Sequence, residues 1–283
     1  MPQWNDKAAI TASKFINGTN CHVFLTGRAG TGKTTFLRDI RRRTHKNVIV
    51  AAPTGIAAIN AEGVTLHSLF QLPFGAFVPA EIPAETALPA FELNTPQTLR
   101  RQMKMHASKR NMLKRLELLI IDEVSMLRAD LLDAVDTVLR KVRRSPNRPF
   151  GGIQVLFIGD LKQLPPVAKD PEWRFLKQYY DTLFFFGARA LRDQPPVYLE
   201  LQHIYRQTDP EFIRILNNLR DGQMTADDIA RLNHCHQPGF KAAADEGYVY
   251  LTTHNRKADR INKDQLEKLP GKASTYKADV SGD

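Results

Sequence analysis

The residues most able to do chemistry form one contiguous run, Gly27-Arg28-Ala29-Gly30-Thr31-Gly32-Lys33-Thr34, which fits G-x-x-x-x-G-K-[ST]. Glycines at these positions let backbone N–H groups turn inward around a β-phosphate, and a helix opening at the run adds partial positive charge there. Lys33 is long enough to reach β- and γ-phosphates, and the Thr34 hydroxyl is a hard oxygen donor for Mg2+. Gly27, Ala29, Gly30, Thr31, Gly32, Lys33, Thr34 and Thr35 are therefore the expected nucleotide-binding residues. A second pair, Asp122-Glu123, ends the apolar run Leu118-Leu119-Ile120-Ile121. Alone, two acids after a strand more often mark a solvated helix start. Beside a phosphate loop they read as a catalytic pair. Asp122 would hold Mg2+, mostly through water, and Glu123 would polarise the attacking water as general base. The pair also narrows the nucleotide chemistry. Asn262-Lys263-Asp264-Gln265 has the wrong spacing for a guanine-reading Asn-Lys-x-Asp, and a small-molecule kinase needs no water-activating glutamate. These residues point to ATP hydrolysis, with Mg2+ as cofactor, driving a motor or a switch.

Such groups need rigid elements to hold them. Short apolar runs predict buried strands at His22–Thr26, Asn47–Ala52, Leu116–Asp122, Ile153–Gly159, Val197–Leu201 and Tyr248–Thr252. Between them lie helical stripes. Leu131, Leu132, Val135, Val138, Leu139 and Val142 make one, and Phe212, Ile213, Leu216 and Leu219 make another, opened by the N-cap and N1 pair Asp209-Pro210. This alternation predicts an α/β fold with a mainly parallel sheet flanked by helices. Residues 71–96 break the pattern with five prolines, three glutamates and no basic residue. Residues 71–115 read as an excursion from the sheet, a proline-rich segment followed by a basic helix. A domain boundary is expected near Asp193–Pro196.

The formal charge is +10, and three clusters exceed it: Arg41–Lys46 (+4), Arg100–Arg115 (+7, with no acid inside it) and Arg140–Arg148 (+5) sum to +16, leaving −6 on the rest of the chain. The first and last fall at predicted helix ends, where cations complement the macrodipole. Arg100–Arg115 is an even choice between a helix end and a nucleic-acid contact. Cys21 and Cys235 give no disulfide framework. No apolar run nears the ~20 residues of a membrane helix, and Met1–Asp6 has no leader character. A reduced intracellular protein without a membrane partner is expected. His234-Cys235-His236 lacks a second Cys/His pair at zinc spacing and is read as an ordinary helix end.

Further segments fall in register with a known family. Ala52-Pro53-Thr54-Gly55-Ile56-Ala57-Ala58 precedes Gly63-Val64-Thr65-Leu66-His67-Ser68-Leu69-Phe70. Asp122-Glu123-Val124-Ser125-Met126, Gly159-Asp160-Leu161-Lys162-Gln163-Leu164-Pro165-Pro166-Val167 and Leu201-Gln202-His203-Ile204-Tyr205-Arg206-Gln207 follow in order. This set resembles the superfamily 1 DNA helicases that move five-prime to three-prime, and among them the petite-integration-frequency family. Glu123–Arg140 resembles that family's own signature. The resemblance implies a RecA-like P-loop NTPase fold over residues 1–192, with a small inserted wedge subdomain at about 71–115. It also implies the N-terminal part of a second, truncated RecA-like domain over 193–283, with Thr252–Arg260 as an early strand and helix.

It implies roles as well. Pro53, Thr54 and Gly55 would grip the backbone of single-stranded DNA, with Thr65, His67 and Ser68 as a neighbouring contact. Gln163 would sense the γ-phosphate. Arg206 would reach the γ-phosphate from the second domain, joining Lys33, Asp122 and Glu123 in catalysis. Phe70 and Phe74 are candidates for base stacking, although core packing is the commoner fate. Single-stranded DNA and DNA junctions are the implied partners of a monomeric motor.

Two features depart from the family pattern. No glutamine lies in Asn5–Phe15 to read adenine, Gln3 being earlier, and the later His-x-x-Gln-Gly and Ala-Leu-Ser-Arg segments do not occur. The chain therefore reads as the N-terminal part of a helicase. The alternatives are an ATP-driven switch or loader acting on a protein partner, and a fragment that only binds nucleotide and DNA.

Overall fold

The computed structural model describes residues 6–81, 91–240 and 247–277. Its elements run α1 (Lys7–Gly18), β1 (Val23–Gly27), α2 (Lys33–Arg43), β2 (Val48–Ala52), α3 (Gly55–Asn60), β3 (Val64–Thr65) and α4 (Leu66–Phe70). Then come β4 (Ala76–Phe77), β5 (Leu93–Asn94), α5 (Pro96–Gln102), α6 (Ala107–Arg115), β6 (Leu118–Ile121) and α7 (Ala129–Val142). The remainder is β7 (Gln154–Ile158), α8 (Asp170–Leu176), β8 (Val197–Leu201), α9 (Pro210–Asp221), α10 (Ala226–His234) and α11 (Asn255–Leu266).

Six strands form one sheet in the order β3-β2-β6-β7-β1-β8, and every pairing is parallel. The apolar runs are buried on both faces, as a parallel sheet between helices requires. Side chains alternate between the two layers. Leu118 and Ile120 of β6 pack with Ile16 of α1 and Phe36, Leu37 and Ile40 of α2. Leu119 and Ile121 pack with Leu132, Val135 and Leu139 of α7 and with Leu66, Leu69 and Phe70 of α4.

Five of the six expected strands form. Val197–Leu201 does not open a second domain, however. It pairs along its whole length with β1, from Val23↔Val197 to Gly27↔Leu201, covering an edge that β7 leaves bare on the other side. The boundary expected at 193–196 thus moves, and the compact units divide between Gln223 and Met224. In the second unit, Tyr248–Thr252 forms no strand. Tyr248, Val249, Tyr250 and Leu251 are exposed, with no paired strand among the described residues, and a lone β-prone segment gains too little from one face to persist. Thr225 caps α10 in a reciprocal box with Asp228, and α11 carries the segment expected to be helical.

Of the expected excursion at 71–115, residues 82–90 lie outside the described residues. The remainder packs into the main core: Phe77, Val78, Leu99, Met105 and Leu113 join the α7 cluster, and β4 pairs with β5 in a separate two-stranded sheet.

The acids of α7 are Asp130, Asp133 and Asp136. Each is buried and organises a neighbouring segment. Asp130 accepts from Phe77 N (3.0 Å) and pairs with Arg128. Asp136 accepts from Phe150 N (2.5 Å) and from Arg140. Asp133 accepts from Tyr180 Oη (3.0 Å), Arg189 N (3.0 Å) and Ala190 N (2.9 Å). Burial pushes its carboxyl up to about 6. An unfolded Asp titrates near ~4, so the fold binds this proton more tightly than the unfolded chain, and the site's contribution to stability falls as pH rises between those values.

Asp133→Asn puts an amide N–H where only acceptors fit. It is expected to cost about 2–3 kcal/mol, or a thermal midpoint lowered by about 5–10 °C in circular dichroism. The deficit should be larger at pH 5 than at pH 8; a midpoint within a degree of the parent at both values would dismiss the hub.

Two cations of the Arg140–Arg148 cluster hold neighbouring main chain. Arg143 donates to the carbonyls of Leu113, Lys114 and Leu116 at the end of α6, and Lys141 donates to Arg100 O.

Candidate nucleotide and nucleic-acid site

All six strands present their carboxyl ends on one edge, where ligands bind in open α/β sheets. Reading along the sheet, that edge carries Thr65 (β3), Pro53-Thr54 (β2), Asp122-Glu123 (β6), Gly159-Asp160 (β7), the phosphate loop (β1) and Gln202–Gln207 (β8). The order of motifs in space is not their order in the chain; the crossovers of the sheet create it.

A cleft of about 800 Å³ opens over β7, β1 and β8. Ala29, Gly30, Gly32, Lys33, Thr34 and Thr35 line it together with Glu123, Gln163 and Arg206. Gly27, Thr31 and Asp122 lie behind that surface, Asp122 being buried. The Thr31 hydroxyl donates to Arg28 O (2.9 Å) and closes the loop on itself. Lys33 Nζ donates to Gly27 O (2.7 Å) and Arg28 O (3.0 Å). Burial pushes its ammonium down, and Asp160, Glu123 and Asp122 pull it back up. Asp122 is pushed up to about 6, first by burial and then by Glu123, against the N–H of Glu123 donating to Oδ1 (2.9 Å) and the charge of Lys33. Glu123 itself has φ 52, a left-handed backbone that costs a non-glycine residue energy and is held here by the turn leaving β6.

Arg206 enters this cleft differently from the expectation. It comes not from a second domain but on the chain leaving β8, within the same compact unit as the phosphate loop. Tyr205 N donates to Gly30 O (2.8 Å). Gly30 has φ +81, and a Cβ there would stand 2.6 Å from Arg206 Cβ. Only glycine lets this segment lie directly on the loop.

Two cleft residues escaped the sequence reading. Asp160 is buried and held low by Arg220, whose Nη2 and Nε donate to it at 3.0 and 3.2 Å, and by Lys162 N–H. Gln163 stays beside it, its N donating to Asp160 O (2.9 Å). Arg220 ends α9, next to Asp221, which also pairs with Lys162 and Arg28. A helix-end arginine carries no motif, so only the three-dimensional pairing reveals it.

The residues expected on DNA lie over β2 and β3, outside the cleft. Thr54 caps α3 by accepting from Ala57 N (3.3 Å), and Thr65 caps α4 by accepting from Ser68 N (3.2 Å). Capping uses an oxygen lone pair and leaves each hydroxyl proton free to donate. His67 stacks on Phe74, and burial, then Arg128, hold its imidazole below its usual range. Ser68 is exposed, and Lys109 Nζ donates to its carbonyl (2.6 Å). Gln3 lies outside the described residues.

A sequence model of the PIF1-like helicase family matches residues 6–229. The ATP-dependent DNA helicase PIF1 of Saccharomyces cerevisiae is 32% identical over 268 residues, covering 93% of this chain and 28% of the yeast protein. Its Homo sapiens namesake is 32% identical over 280 residues, covering 98% of this chain and 39% of the human protein. The crystal structure of Pif1 helicase from Bacteroides in complex with ADP-AlF3 and single-stranded DNA matches with a TM-score of 0.81 at 41% identity, covering 94% of this chain and 58% of that one. The chain thus spans less than half the length of the curated relatives it matches. The family match runs through the whole carboxyl edge, from α1 into α10, and the chain belongs to the PIF1-like helicase family.

Proposed function

We propose that the chain works as an ATP-dependent DNA helicase, coupling ATP hydrolysis to five-prime to three-prime translocation on single-stranded DNA and to unwinding at junctions. One observation carries this reading: the phosphate loop over β1 and the polar segments over β2 and β3 share one edge of one sheet, with Asp122-Glu123 on β6 between them. A strand-binding surface and a nucleotide cleft are thereby joined through neighbouring main chains.

In this mechanism Gly27–Thr35 wrap the phosphates, and Lys33 moves from the loop carbonyls to the β- and γ-phosphate oxygens. Thr34 and Asp122 are the hard oxygen donors that suit Mg2+, and Asp122, whose proton affinity is raised first by burial and then by Glu123, would be held ionised beside a divalent cation. Mg2+ held there would supply charge neutralisation to the phosphates. Glu123 takes the proton of the water that attacks the γ-phosphorus as ADP departs. Arg206 stabilises the charge of the transferring phosphoryl group, and Gln163 reports its presence to the edge. Pro53, Thr54, Gly55, Thr65, His67 and Ser68 hold the phosphodiester backbone with polar and main-chain groups. The motor acts as a monomer on single strands and junctions.

The test is the steady-state ATPase rate with and without oligo-dT. Single strands are expected to raise it at least about tenfold, a coupling of about 1.4 kcal/mol. A rate indifferent to polynucleotide would favour a switch acting on a protein partner. Binding of both ligands with no turnover would reduce the role to a binding module.

A further inference from the structure

Of the two phenylalanines expected as stacking candidates, Phe70 is fully buried in the α4–α7 core. Phe74 is the reverse: 78% of it is exposed. Its position is nevertheless fixed. Asn94 Nδ2 donates to Phe74 O (2.7 Å). The next residue, Gly75, has φ +99, and a Cβ there would stand 2.3 Å from Glu92 O, so the turn is clamped between β4 and β5. On one side the ring stacks on His67, at a centroid distance of 5.6 Å and an interplanar angle of 28°. A large apolar ring held out in water by a locked backbone gains nothing for the fold, which is the situation of a preformed binding face.

The side toward α6 is cationic. Lys109 of α6 reaches Ser68, the neighbour of His67 in the chain. Arg110 and Lys114 follow on the same helix, one turn apart and both exposed. Neither pairs with a carboxylate among the described residues. An aromatic face beside cations without an acid partner among the described residues is the combination that binds unpaired nucleic acid: bases stack and phosphates neutralise. A duplex keeps its base faces covered, so the partner is a single strand or a frayed end. A protein partner would leave the excess charge of α6 without a role.

We infer that Phe74, backed by His67, is a stacking platform for one unpaired base, and that Arg110 and Lys114 bind the phosphates of the same strand beyond it. This rests on the single-strand binding proposed above and extends that track onto α6.

The test is fluorescence anisotropy with oligo-dT and with the same strand carrying consecutive abasic sites, over a salt series. Phe74→Ala and Phe74→Leu should both weaken oligo-dT binding by about 5- to 50-fold while leaving abasic-strand binding unchanged, with thermal midpoints at the parent value. Arg110→Ala/Lys114→Ala should lower the slope of log K against log salt by about 1.4, two phosphates on a single strand. Equal losses on both strands, or none, overturn the platform; an unchanged slope overturns the phosphate contact. If the unaltered chain binds neither strand, the underlying proposal of single-strand binding fails instead.

Discussion

Arg206→Ala is expected to lower DNA-stimulated ATP hydrolysis by about a thousandfold or more, with nucleotide affinity reduced only a few-fold. The reason lies in how the residue is held. The hydrogen bond from Tyr205 N to Gly30 O is main chain to main chain, so removing the guanidinium leaves the segment on the phosphate loop. What disappears is a cation aimed at charge that peaks in the transition state, an interaction that counts in the rate more than in ground-state binding. Arg206→Lys should recover little of it, because a point charge does not reproduce a planar fork. Single-turnover quench-flow separates the chemical step from release. A variant hydrolysing within tenfold of the parent would show that Arg206 merely lines the cleft.

Glu123→Gln is expected to reduce the hydrolysis step by about a thousandfold while ATP and single-strand binding persist. Glutamine keeps the volume and the left-handed backbone of this position, so the change is confined to the missing base. Its electrostatic consequence has a definite sign. Glu123 is among the causes that raise Asp122, so the variant's Asp122 should titrate below the value of about 6 that it shows in the parent. Carboxyl chemical shifts followed over pH would report that fall, and a shift upward would contradict the assigned proximity. Equilibrium binding of a fluorescent ATP analogue checks the other half: loss of binding equal to the loss of rate would make Glu123 a structural residue.

Much of the edge was legible because its parts are local. The phosphate loop is one contiguous run, and the strands leading to it are short, apolar and bounded by turn residues. Asp122-Glu123 is legible for the same reason. Partners that lie far apart in the chain were not legible in this way. Val197–Leu201 shows its strand character but not its neighbour, and pairing with β1 reassigns both a domain boundary and the origin of Arg206. The three aspartates of α7 show no partner in the sequence, where Phe77, Phe150, Arg189 and Ala190, whose backbone N–H groups they accept, lie far away. Arg220 has no pattern at all; its meaning is its contact with Asp160. Tyr248–Thr252 fails the other way, having strand composition without a strand to join among the described residues.

The placement of β6 between the two halves of the carboxyl edge has a thermodynamic corollary. If a single strand over β2 and β3 changes the affinity of the cleft for ATP by some factor, ATP must change the affinity for the single strand by that same factor, whatever atoms transmit it. A tenfold effect in one direction is about 1.4 kcal/mol in both. The two binding constants, each measured with and without the other ligand, close a square whose corners must agree. Between the nucleotide-free and the ATP-bound chain, the affinity for a single strand differs by no more than that shared quantity.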